Sequence, residues 1–286
     1  MTGPRYMLLS ALSFAIMGAL VKVAGAQGLP LLQIIFFRAL VSACISMVEI
    51  RRAGVHPLGI HRGLLFARGA VGFIALVGVF YAFLTLPYAQ ATMLQYMHPV
   101  FTALLAYFFL TERPSLATLA CILLSLLGLA WLVSPYWQSV NEATLPSLAL
   151  IAGLGGALGS GIAYTLVRRL AGAEHPSVIV LYFPMVCIPG ALLLGWQDFI
   201  WPSASGWLVL LGVGCFTQFG QINLTKAMQL DMASRVTSLS YLQIVFAAVL
   251  GWSLFGEIPT PSTLLGGALI LMGALVTTLL QPRTTA

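Results

Sequence analysis

The sequence predicts an all-α integral membrane protein. Ten transmembrane helices are expected, as two inverted five-helix repeats around a central cavity, with both termini cytoplasmic. Three observations carry this. The 286 residues are 60% hydrophobic and only 7% charged, with a mean hydropathy of +0.99, and no soluble domain hides so much apolar surface behind so little charge. Apolar runs close to the spanning length of about 20 residues recur along the chain. A shift of 145 positions lays one half of the sequence on the other.

The expected spans lie near 5–25, 31–49, 64–86, 90–110, 115–134, 147–169, 176–196, 205–226, 234–255 and 262–281. The first follows a minimal positive start and lacks a small-residue cleavage site, so it reads as a retained helix rather than a signal peptide. With ten spans, Arg5, the Arg51, Arg52, Arg62 and Arg68 group, Arg113, Arg168, Arg169, Lys226, Arg235 and Arg283 share one side. The opposite loops carry no Lys or Arg, apart from Lys22 at a helix end. The positive-inside rule makes the basic side cytoplasmic.

The repeat aligns "LQYMHPVFTALLAYFFLTERPSLATL" with "LSYLQIVFAAVLGWSLFGEIPTPSTL". Leu94 matches Leu239, Tyr96 matches Tyr241, Glu112 matches Glu257 and Gly128 matches Gly273. Near the start of each half, a shift of 147 pairs "AGAQ" at Ala24 with "AGAE" at Ala171. The expected organisation is a first repeat over 1–135, a periplasmic linker over 136–146 and a second repeat over 147–286. Five helices per repeat invert the second copy. Glu112 sits beside basic Arg113 whereas Glu257 falls on the side free of arginine, which fits inversion. Secondary transporters use this construction, with solute bound near the midplane.

The paired junctions "FLTERPS" and "LFGEIPT", the runs "LLSLLGLAWL" and "LLGGALILMGAL", and "FFRAL" at Phe36 to Leu40 resemble the EamA family of the drug/metabolite transporter superfamily. The resemblance covers essentially the whole chain. It implies a ten-helix carrier, and the length and pattern are most similar to bacterial YddG-type amino-acid exporters. The export direction is implied by this resemblance alone.

Polar groups inside spans are the candidates for function. Gln95, His98 and Thr102 share one helix face by their i, i+3, i+7 spacing. Their mates in the ninth span are Ser240, Gln243 and Ala247, so both faces are expected to line one cavity. His98 should lie roughly 12 Å deep, and Pro99 cannot donate a backbone hydrogen bond and is expected to bend this span alone. Gln218, Gln221 and Thr225 form a similar face in the eighth span, as cavity lining or as helix fasteners. Tyr81, Tyr164 and Tyr182 offer aromatic surface with a hydroxyl, while Tyr96 and Tyr241 lie off the polar face and read as structural. Arg38, about seven residues into its span, either anchors the helix or serves the cavity. Lys22 reads as a helix-end cation. The Gly155-xxx-Gly159 pair suits close helix packing.

No paired intramembrane carboxylates, metal-ligand cluster or nucleotide motif is present, so no catalytic residue, metal or cofactor is expected. Cys44, Cys121, Cys187 and Cys215 lie in apolar runs and read as packing residues. The scattered net charge of +6 suits topology rather than nucleic acid. The expected partners are the bilayer of a bacterial inner membrane and a small-molecule substrate, with a monomer sufficient. Few deep cations point to small neutral or zwitterionic solutes, most simply amino acids including aromatic ones. Another solute (a nucleoside, sugar or organic cation) and a structural or signalling role stand as alternatives. His98 is the deep titratable group if protons are coupled.

Overall fold

The helices start and stop where the chain's prolines, glycines and charges direct. In a computed structural model that describes residues 2–85, 94–137, 147–256 and 261–280, the first is α1 (Gly3–Ala26), with a proline in its opening turn, where a missing N–H costs nothing. Helix α2 (Leu31–Ala53) carries Arg51 and Arg52 in its last turn and ends at left-handed Gly54. There the Gly54 N–H bonds the Arg51 carbonyl and the Val55 N–H bonds that of Ile50, a Schellman closure that the basic pair reinforces against the helix dipole. Then follow α3 (Arg62–Thr85), α4 (His98–Leu110), α5 (Leu116–Trp137), α6 (Ser147–Leu170), α7 (Pro176–Gly195) and α8 (Ala204–Leu230). A six-residue helix α9 (Ala233–Ser238) and a 3-10 turn at Leu239–Tyr241 lead into α10 (Leu242–Phe255), and α11 (Pro261–Leu280) closes the order.

Seven of the described helical segments are long and apolar enough to cross a membrane. Helices α4, α5 and α11 add three further apolar stretches, His98–Leu110, Leu116–Trp131 and Leu264–Val276 among the described residues. The fourth expected span is cut short because the chain turns at Tyr96 and Met97 and restarts at His98, with Pro99 in the first turn of α4. The ninth breaks at the corresponding place, the 3-10 turn at Leu239–Tyr241, without any proline. The α-helical pattern is therefore interrupted in both halves, beside Pro99 in one and without a proline in the other. Glu257, Arg283, positions 138–146 of the expected linker and residues 90–93 of the fourth span lie outside the described residues.

The helices gather into two units, one of residues 1–73 and 166–230, the other of 74–165 and 231–286. Each draws on both halves of the sequence. In the first unit α1 packs on α8 and α2 on α7. Ser10 donates to the Gly220 carbonyl at 2.8 Å. Gln33 clasps Ile200 from both ends, giving its amide N–H to the carbonyl at 2.6 Å and accepting the backbone N–H at 3.0 Å. Glu174, in the link from α6 to α7, accepts the backbone N–H groups of Ile60 and His61 at 2.7 and 2.5 Å and so caps the approach to α3.

In the second unit α5 lies against α11 and α4 against α9. A Cβ on Gly128 would come within 2.6 Å of the Gly266 carbonyl oxygen, and one on Gly273 within 3.1 Å of the Cys121 carbonyl oxygen. Both contacts join positions that a shift of 145 interchanges. On α6 the close approach runs through Gly156, whose Cβ would meet the Ala75 carbonyl oxygen at 2.9 Å, while Gly155 faces open space. The packing face thus sits one residue away from the expected Gly155-xxx-Gly159 pair. Glu112 accepts the Ala233 N–H at 2.8 Å and caps α9.

Two outcomes follow from these contacts. Gly128→Ala should lower the thermal midpoint of the detergent-purified protein, by about 1–3 kcal/mol of stability, because the opposing atom is backbone and cannot move aside. Helix α4 ends at Thr111 with φ 55°, whereas its repeat mate Gly256 ends α10 with φ 66°. Left-handed geometry strains a β-branched residue, so Thr111→Gly should raise the same midpoint, by up to about 1 kcal/mol.

Candidate substrate site

Each unit holds a buried group of polar side chains between apolar helices. In the second unit the group forms where the fourth and ninth spans are broken. Tyr96 stacks on its repeat mate Tyr241 with centroids 6.2 Å apart and rings inclined by 29°. His98 lies 6.3 Å from Tyr96 and meets Tyr164 of α6 edge-on at 5.1 Å. His98 is 4% exposed and Tyr241 is 1% exposed. The Gln95 Oε1, His98 Nδ1 and Tyr241 hydroxyl are buried and make no hydrogen bond among the described residues. Each such atom costs about 1–3 kcal/mol unless water or a solute meets it.

The neighbouring hydroxyls are spent locally. Thr102 donates to the His98 carbonyl at 2.8 Å and Ser240 to the Thr237 carbonyl at 2.6 Å, the back-bonding that lets hydroxyls sit in apolar helices. Gln243 is half-buried. Tyr81 is exposed at 38%. Tyr96 and Tyr241, expected to be structural, are members of the buried cluster with Leu129, Ile244 and Ile270.

In the first unit, α2, α3, α7 and α8 contribute. Arg38 and Arg68 are 6% and 3% exposed, and their guanidinium carbons lie 5.4 and 5.0 Å from the centroid of the same ring, Phe183. Arg68 Nη2 donates to Gln221 Oε1 at 3.0 Å. Gln218 is held at both ends, accepting from Ser42 and donating to Ser46 at 2.7 Å. That ties α8 to α2. Tyr182 donates to the Leu58 carbonyl at 2.9 Å, which holds the chain ahead of α3.

Thus the sequence candidates fall into two groups. Gln95, His98, Ser240 and Tyr164 gather in the second unit with Tyr96 and Tyr241, and Arg38, Gln218 and Gln221 gather in the first. Arg68 and Phe183 were not foreseen. The charge pattern sets Arg68 with the loop arginines, although it lies six residues into α3, the same kind of depth that marks Arg38. Two further prolines, Pro184 and Pro189, interrupt the bonding inside α7. Among the described residues no cluster of His, Cys, Asp or Glu is arranged to hold a metal.

A chain built of membrane-length apolar helices, with polar groups buried along their middles, is of the membrane-carrier class. It belongs to the EamA-like transporter family, whose profile matches residues 1–134 and 147–279. The chain is 34% identical to the pseudopaline exporter CntI of Pseudomonas aeruginosa, over 96% of this chain and 95% of that protein. It is 27% identical to a riboflavin transporter of Vibrio cholerae, over 94% and 90%, and 23% identical to the S-adenosylmethionine uptake transporter of Rickettsia prowazekii, over 96% and 92%. A solved crystal structure shares the fold at a TM-score of 0.85 and 20% identity, over 99% of both chains.

Gln218→Leu should cost about 1–3 kcal/mol, since both serines lose their partner in the interior. A fall of several degrees in the thermal midpoint checks this, and an unchanged midpoint would show that the fastening carries no load.

Proposed function

We propose that the chain is a ten-span secondary carrier of the bacterial inner membrane, with both termini cytoplasmic, that exports small amphipathic solutes of amino-acid type. The observation that supports it most directly is the set of unsatisfied polar atoms on Gln95, His98 and Tyr241, at breaks that recur in both halves of the sequence. Broken backbone and polar side chains at such depth are tolerated in membrane proteins where they line a cavity. Aromatic rings beside amide, imidazole and hydroxyl groups suit a solute with an apolar body and a few polar contacts.

The family relation supports transport as such. Export is favoured by the 34% identity to an exporter, although relatives at lower identity include an uptake protein. The cargoes of these relatives differ widely, so the amino-acid assignment rests on the chemistry of the lining rather than on any relative.

The test is counterflow in proteoliposomes with labelled amino acids, riboflavin, a nucleoside and a phosphorylated sugar. Saturable flux of amino acids is expected. Saturable flux of another member with none for amino acids would overturn the substrate assignment, and no saturable flux of any would overturn the carrier reading. His98→Phe removes both ring nitrogens while keeping an aromatic ring against Tyr164. It should raise KM or lower the maximal rate by about tenfold, the scale of one hydrogen bond to a buried group, with little change in thermal midpoint.

A further inference from the structure

The basic end of the first unit holds a cavity of about 310 Å³, separate from the two polar groups described above. The last turns of α2 give it Glu49 and Arg52, the entry of α7 gives His175 and Ser177, and α8 gives Ile222 and Lys226. Its volume falls at the lower end of the range for small-ligand sites, about 300–1,000 Å³.

Charges of both signs line this one space. Glu49 and Arg52 stand three residues apart on α2 and so share a helix face. Glu49 and Lys226 are half-buried, while Arg52 is exposed. Among the described residues no ion pair joins Glu49 to either cation. Glu49 Oε2 accepts the Ser177 hydroxyl at 2.6 Å. A carboxylate has about four acceptor positions, so that bond fixes the group and leaves room for a second donor. Lys226 Nζ lies 5.9 Å from the centroid of the Tyr6 ring, and a ring face attracts the charge without using up the ammonium donors. His175 Nδ1 accepts the Ser177 N–H at 3.3 Å and closes the opening turn of α7. The charge in the cavity therefore comes from side chains rather than from that helix end. Ile222, 7% exposed, adds an apolar wall.

We propose that this cavity is a loading site for a zwitterionic solute of amino-acid type, with its ammonium against Glu49 and its carboxylate against Lys226 and Arg52. The inference rests on the carrier reading in treating the solute as cargo, and on the cytoplasmic placement of the basic helix ends. It adds a second station to the one around His98. A simple anion would gain from the two cations but meet Glu49, and a simple cation would face the reverse. A zwitterion gains at both ends. The headgroup of phosphatidylethanolamine carries the same two charges, with a phosphate in place of the carboxylate. Half-burial of Glu49 and Lys226 favours a solute seated in the space over a headgroup lying across its mouth.

The experiment uses the detergent-purified, delipidated full chain and reads the thermal midpoint against phenylalanine, phenethylamine, 3-phenylpropionate and phosphatidylethanolamine. A ligand that binds the folded chain raises the midpoint. Phenylalanine is expected to act at the lowest concentration of the three small probes. Glu49→Gln still accepts the Ser177 hydroxyl. It should weaken phenylalanine and phenethylamine about fivefold and leave phenylpropionate no weaker. Lys226→Gln should weaken phenylalanine and phenylpropionate about fivefold and spare phenethylamine, and Arg52→Gln should do the same about twofold because it is exposed. Where Lys226→Gln does not purify, Lys226→Arg keeps the charge and should hold phenylalanine within about twofold; loss of binding there overturns the proposal. Equal weakening of all three probes marks a structural role and overturns it, as does unchanged affinity across the variants. A midpoint that follows phosphatidylethanolamine but not phenylalanine assigns the cavity to lipid and also overturns it. Absence of counterflow for every solute would sink the carrier reading, while the charge-selective pattern of the probes still decides the cavity by itself.

Discussion

Lipid offers no hydrogen-bond partner, so every backbone group that a helix leaves open must be met from within the protein. That constraint explains where this chain spends its few polar side chains. Gln33 satisfies both backbone groups of Ile200 beyond the end of α7. Glu174 takes the two N–H groups ahead of α3, and Glu112 takes the first N–H of α9. Carboxylates that are sparse in the sequence thus sit at breaks between helices, where each meets donors that water or lipid would otherwise have to supply.

The same constraint makes the breaks in the fourth and ninth spans informative. Both are short, both are flanked by helix, and the tyrosine at each stacks on the other. Stacking and burial hold the turns in place, and local hydroxyl bonds from Thr102 and Ser240 occupy neighbouring carbonyls. What they leave unmet is a small set of side-chain atoms, on Gln95, His98 and Tyr241. Unmet polar atoms in an interior this apolar are costly, and these three belong to one group of side chains in the second unit.

Close helix contact elsewhere rests on missing side chains. Gly128 and Gly273 allow α5 and α11 to approach until backbone meets backbone. In the first unit a different solution appears, with cations laid on an aromatic ring and an amide tied between two serines. The two polar groups therefore differ in chemistry, the one around His98 aromatic and uncharged, the one around Phe183 cationic.

Composition and run lengths were enough to read an all-helical membrane protein and a shift of 145 to read its repeat, while the paired junctions "FLTERPS" and "LFGEIPT" carried the resemblance to this family. Those features depend only on what each residue would gain or lose in lipid. Depth along a helix was likewise readable, which is why Arg38 and His98 stood out. The sequence could not tell that Gln218 would be claimed by Ser42 and Ser46, or that Arg68 would leave the loop arginines to share Phe183 with Arg38. It singled out Pro99, yet the helical pattern is interrupted between α9 and α10 without any proline. Spacing fixes which face of a helix a residue occupies, but partners come from helices more than a hundred residues away. Which polar groups are fastened and which stay open was decided only when those faces met.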